Sequence, residues 1–128
     1  MPALGPFADS IGMRVTSVGA GRARFELAVE DRHLNPNRIL HGGVLYSLAD
    51  TAMGAALYSR LEPGESCATL EIKMQYLAPV LAGHAVAAEA GVVERTKRIG
   101  VLEAKLFGEG DRVVALATGT FFIQSART

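Results

Sequence analysis

The chain predicts an α+β fold in which an antiparallel sheet wraps one long apolar helix, and three observations carry that reading. From Val44 to Leu57 nearly every side is apolar or small, as in a helix buried all round. Period-two alternation recurs in Ala23, Phe25, Leu27 and Val29, in Leu70, Ile72, Met74 and Tyr76, and in Leu102, Ala104 and Leu106, the mark of strands with one buried face. After the long helix, four strands follow one another through short turns, the pattern of an antiparallel sheet.

Taken in order, Leu4, Phe7 and Ile11 are spaced like one face of a short helix, which Gly12 would stop. Gly19, Gly21 and the residues before them form a turn or the start of a paired strand, and the first alternating strand follows from Arg22. Asp31 to Arg38 is a polar loop carrying Pro36. It leads into Gly42 and Gly43, where the central helix begins. Leu61 to Ser66 is a turn cluster, Thr69 to Tyr76 the second alternating strand, and Pro79 ends or bends it. His84 to Val93 suits strand or helix by periodicity alone; the basic turn Arg95 to Gly100 between it and the next alternating run favours strand. Gly108 to Asp111 signals a hairpin, and Val113 to Ile123 is a β-branched and aromatic final strand.

The 128 residues form one expected domain spanning 1–128, large enough for a sizeable core. Thirteen basic residues balance thirteen acidic ones, so no overall field favours nucleic acid or an anionic membrane. No apolar run approaches a membrane span, and Met1 to Pro6 lacks the basic and apolar blocks of a secretory signal. The lone cysteine, Cys67, rules out an internal disulfide and suits a cytoplasmic protein. His33, His84 and Cys67 lack ligand spacing, so no metal is expected. No nucleotide-binding glycine pattern occurs.

The central helix carries the chemistry. Asp50 interrupts its apolar run, and a carboxylate there needs either a structural partner or a job. Gly42 and Gly43 each cost about 1 kcal/mol of helix propensity relative to Ala. They stand where the first backbone N–H groups have no intrahelical acceptor. Glycine lets another group approach those donors, and the positive end of the helix dipole favours an oxygen gaining charge. That describes an oxyanion site. Eight residues of helix span about 12 Å, so Gly42 and Asp50 of one copy cannot both touch one reacting carbon. If both act in one reaction, the site lies between two subunits.

The chain from about Phe7 onward resembles the hotdog-fold acyl-CoA thioesterases of the phenylacetate-degradation type. The residues that carry the resemblance are His33-x-Asn35, His41-Gly42-Gly43, Leu48 to Ala52, Tyr76-Leu77-x-Pro79 and Gly119-Thr120. The histidine-glycine-glycine triplet with an Asp seven residues beyond its last Gly is fairly specific to that superfamily. The resemblance implies a five- or six-stranded antiparallel sheet curled around the helix, homodimers or dimers of dimers joined edge to edge, and active sites at the interface. It assigns Asp50 as the carboxylate that attacks the thioester or activates water, and the Gly42 N–H as the donor that polarises the carbonyl. Asn35 would lie near the carbonyl or the water, and Thr69 falls where some relatives carry a Ser that places the water. Many relatives have Gly where this chain has Arg38.

His41 is a candidate general acid, although at a helix start a histidine more often holds the loop by bonding to backbone. Gly43 is read as permitting close helix–sheet packing, and Asn35 serves equally well as a turn residue. Cys67 is flanked by apolar residues and reads as core. Arg95, Lys97 and Arg98 are candidates for the phosphates of coenzyme A, which enters as part of the substrate, with no separate cofactor. The expected activity is hydrolysis of an acyl-CoA thioester. A hotdog hydratase with His41 in the pocket, or an acyl-CoA-binding module without catalysis, are the alternatives.

Overall fold

The computed structural model describes residues 4–125, so Met1 to Ala3 of the signal-peptide reading lie outside it. Helix α1 (Pro6–Ile11) precedes strands β1 (Arg14–Gly19) and β2 (Arg22–Ala28); the long helix α2 (Gly42–Tyr58) follows. Strands β3 (Ser66–Tyr76), β4 (Ala85–Arg95), β5 (Ile99–Phe107) and β6 (Val113–Gln124) complete the chain. All six strands pair antiparallel in the spatial order β1, β2, β4, β5, β6, β3. This is the α+β architecture, an antiparallel sheet around one long helix, that the alternation predicts and the hotdog fold that the resemblance implies, and β1 is the strand that the glycines around position 20 only hinted at. No helix of the described residues is long and apolar enough to cross a membrane.

The sheet curls around α2 because its inward positions are apolar. Phe25 and Leu27 of β2, Leu102 and Leu106 of β5, and Phe121 and Ile123 of β6 are buried against Leu48, Met53 and Leu57 of the helix. Each such side chain contributes roughly 1.5–3 kcal/mol by leaving water. The small residues Ala88, Ala90, Ala104, Ala115 and Ala117 let the helix lie close to the sheet. Gly12 ends α1 in the left-handed region, at φ 81°.

Three expectations need correction. In α1 it is Ala8 that is buried, while Phe7 is 61% exposed, because the helix turns its Ala8 side to the core. In β3 the pairing with β6 shifts register between Thr69 and Glu71, a β-bulge. The bulge reverses the facing of the residues before it, so Leu70 is 59% exposed and Thr69 looks toward the helix. Finally, α2 is not buried all round. Gly43, Tyr46, Ser47, Asp50, Thr51, Gly54 and Tyr58 recur at helical spacing and are exposed or half-buried, a stripe the chain's own sheet leaves uncovered.

β3 and β1 are the two edges of the sheet. Beside the β3 edge stand the exposed apolar residues Tyr46, Leu70, Tyr76 and Leu77. Long unpaired edges and contiguous exposed apolar surface are features that a lone chain normally avoids.

Candidate active site

Every backbone group around the first turn of α2 is fixed except one. The His41 N–H donates to the His33 carbonyl at 2.8 Å, and the His41 carbonyl accepts from the Val44 N–H at 2.9 Å. The Gly43 N–H donates to Nδ1 of His41 at 2.8 Å. With Nδ1 accepting, Nε2 is the ring nitrogen left to donate. His41 therefore caps the helix, the holding role expected for it. The Gly42 N–H has no acceptor among the described residues. Since the His41 carbonyl points into the helix, the Gly42 N–H of that same trans peptide points out of it.

The two glycines serve different contacts, and the packing reading given to Gly43 belongs to Gly42. A Cβ on Gly43 would meet the His41 ring at 3.0 Å, whereas a Cβ on Gly42 would meet the Tyr76 ring of β3 at 3.1–3.3 Å. The Tyr76 hydroxyl donates to the Gly42 carbonyl at 2.9 Å. Burial, and to a lesser degree the neighbouring Tyr46, raises the pKa of that hydroxyl above its usual value.

The loop before the helix is built on two side chains. His33, 3% exposed, accepts the Glu30 N–H on Nδ1 at 2.9 Å, and its Nε2 bonds the Ile11 carbonyl at 2.8 Å. It thus joins the end of α1 to the chain entering α2, a role that spacing could not reveal. The Asn35 carboxamide oxygen accepts from the N–H groups of Asn37 at 2.9 Å and Ile39 at 3.3 Å, the turn role that is one of its two readings. Its amide NH2 bonds no acceptor among the described residues. Arg38 sits at φ 64°, a conformation that glycine adopts freely and other residues rarely. Placing Gly there is expected to change stability by less than about 1 kcal/mol, strain relief opposing the added freedom of the unfolded chain. Thermal unfolding of Arg38→Gly checks this.

Two turns along α2, Asp50 accepts a hydrogen bond from the Thr69 hydroxyl at 2.8 Å. The bulge in β3 makes this possible by turning Thr69 inward. Cys67 lies on the same stretch of strand. Burial, assisted by the Asp50 charge, raises its thiol pKa, so it stays protonated and is poorly suited to act as a nucleophile.

The basic turn is divided. Arg95 bonds Glu65 with both guanidinium nitrogens, at 2.9 and 3.3 Å, and also bonds the carbonyls of Thr96 and Lys97. That pairing lowers the Glu65 pKa and raises that of Arg95. Arg95 is therefore committed to shaping the turn, whereas Lys97 and Arg98 are exposed. A groove of about 600 Å³ lies on the other face of the sheet, between Arg22, Lys73, Glu89, Glu103, Lys105 and Thr118. Neither Gly42 nor Asp50 lines it.

In one copy, then, the bare N–H and the carboxylate stand on the same helix about 12 Å apart. Both border β3, Gly42 at its Tyr76 end and Asp50 at its Thr69 end.

Comparison with known proteins places these features in a group. Residues 37–115 match the family described as the thioesterase superfamily. The chain is 31% identical to a 1,4-dihydroxy-2-naphthoyl-CoA hydrolase of Listeria monocytogenes, over 93% of this chain and 96% of that protein. It is also 31% identical to the acyl-coenzyme A thioesterase PaaI of Escherichia coli, over 88% of this chain and 78% of that one. A crystal structure of a Thermus thermophilus protein superposes with a TM-score of 0.85 at 34% identity, covering 92% of this chain and 97% of that one.

Proposed function

The chain belongs to the thioesterase superfamily, and from that premise we propose that it hydrolyses an acyl-coenzyme A thioester at a site shared between two copies of itself. The observation that carries this reading is that α2 presents both reactive groups beside one unpaired strand edge, too far apart to meet within a copy. The thioester oxygen accepts from the Gly42 N–H of one copy, where the helix dipole also favours developing negative charge. Asp50 of the other copy attacks the carbonyl carbon or takes a proton from the water that does. The tetrahedral intermediate collapses with cleavage of the C–S bond, releasing coenzyme A as the thiolate. If water attacked, the acid is formed in the same step; if Asp50 attacked, water then hydrolyses the Asp50–acyl anhydride to the acid and restores the carboxylate. A thiolate leaves readily, so no strong general acid is needed. Thr69 holds the Asp50 carboxylate, and the free amide of Asn35 is available to the water or the carbonyl.

Geometry supports the shared site. Because α2 and β3 run in opposite directions, a two-fold axis through β3 brings the Gly42 end of one copy toward the Asp50 end of the other. An axis at Ile72 sets Glu71 against the partner's Lys73 and Lys73 against the partner's Glu71, whereas an axis at Lys73 opposes like charges. The same pairing covers the open stripe of α2 and the apolar residues at the β3 edge. The Listeria monocytogenes and Escherichia coli relatives are named for coenzyme A esters, which favours that leaving group. Lys97 and Arg98 are the basic residues free to meet its phosphates. The single cysteine suits a cytoplasmic enzyme.

A hydratase would need His41 to shuttle protons; with Nδ1 engaged by the Gly43 N–H, only Nε2 could do so, and it would have to project into the pocket. A panel of aryl- and alkyl-CoA esters, read by thiol release, tests the proposal. Release from at least one class is expected. Binding without release would make the chain a sensor module, and hydration of an enoyl-CoA without release would make it a hydratase.

A further inference from the structure

We propose that Tyr76 is a positioning residue for the oxyanion site, holding the first turn of α2 so that the Gly42 N–H keeps its aim at the thioester oxygen. The inference rests on the hydrolytic reading above. Residue 76 is 34 positions from Gly42, yet its ring lies over that glycine closely enough that an added Cβ would stand 3.1 Å from Cζ. Its hydroxyl donates to the Gly42 carbonyl at 2.9 Å, although the residue is 52% exposed and water is at hand. The peptide between Gly42 and Gly43 is thus gripped at both ends, its carbonyl by Tyr76 and its N–H by His41. Without the first grip, two adjacent glycines at a helix start would fray. An oxyanion donor is worth most when it is oriented before the reaction begins. Tyr76 provides that orientation from the end of β3, linking the helix start to the strand edge that receives the second copy.

Tyr76→Phe keeps the ring and removes the hydroxyl. Its kcat, per folded protein by circular dichroism, is expected to fall about tenfold with KM unchanged within about twofold. Amide exchange at Tyr46, whose N–H also bonds the Gly42 carbonyl in a regular helix, should speed by a similar factor. The second readout requires no turnover. Unchanged kcat and unchanged exchange would overturn the proposal, as would a raised KM at constant kcat, which would make Tyr76 a substrate contact. If wild-type protein releases no thiol from any ester while exchange at Tyr46 still responds, the hydrolytic reading fails and the structural grip stands.

Discussion

Asp50→Asn is expected to lower turnover by about a hundredfold to a thousandfold while leaving the fold intact. Asparagine has nearly the same shape, and its carboxamide oxygen can still accept from Thr69, so the contact across to β3 survives. What disappears is the negative charge and the basicity, which only the chemical step uses. Stability should hold or rise slightly, since a half-buried charge among apolar neighbours is removed. Thiol release together with thermal unfolding reads both effects. A variant retaining a third or more of wild-type turnover would remove Asp50 from the mechanism.

Gly42→Pro should cost at least about a hundredfold, the usual loss when one oxyanion donor is deleted. Proline removes the N–H itself, and at the first helical position it fits the backbone well. The preceding His41, at φ −64° and ψ 133°, already has the extended conformation that a following proline requires. Only the ring's Cβ is crowded, against Tyr76, at a cost of about 1–3 kcal/mol. Gly42→Ala provides the comparison. It introduces the same Cβ yet keeps the donor, so it should retain much more activity than the proline variant. Equal losses in the two would mean that crowding, not the missing N–H, is what matters.

The alternation of Ala23, Phe25, Leu27 and Val29 fixes β2 because its two faces meet different surroundings, and the same holds for Leu102, Ala104 and Leu106. The Leu70 to Tyr76 alternation misled for a physical reason. A bulge changes the facing of a strand without interrupting the apolar pattern, so Thr69 and Leu70 exchanged sides unseen. The run from Val44 to Leu57 marks a buried helix but cannot say what buries it, and a stripe of small and apolar residues that the sheet leaves open reads like a core face. Contacts between distant residues left no trace in spacing: Tyr76 over Gly42, His33 joined to Ile11, Arg95 to Glu65. The glycine pair and the isolated Asp50 were legible because each breaks a local rule of helix composition, and such breaks concentrate where function demands them.

A mixture of two inactive variants tests the shared site most directly. Chains carrying Asp50→Asn and chains carrying Gly42→Pro are co-expressed in equal amounts and assayed for thiol release against each variant alone. In a mixed dimer, one site joins the intact Asp50 of one chain to the intact Gly42 of the other, while the second site carries both defects. Random pairing makes about half the dimers mixed, so the mixture should recover about a quarter of wild-type turnover. A mixture no more active than its parents would contradict a site divided between two copies.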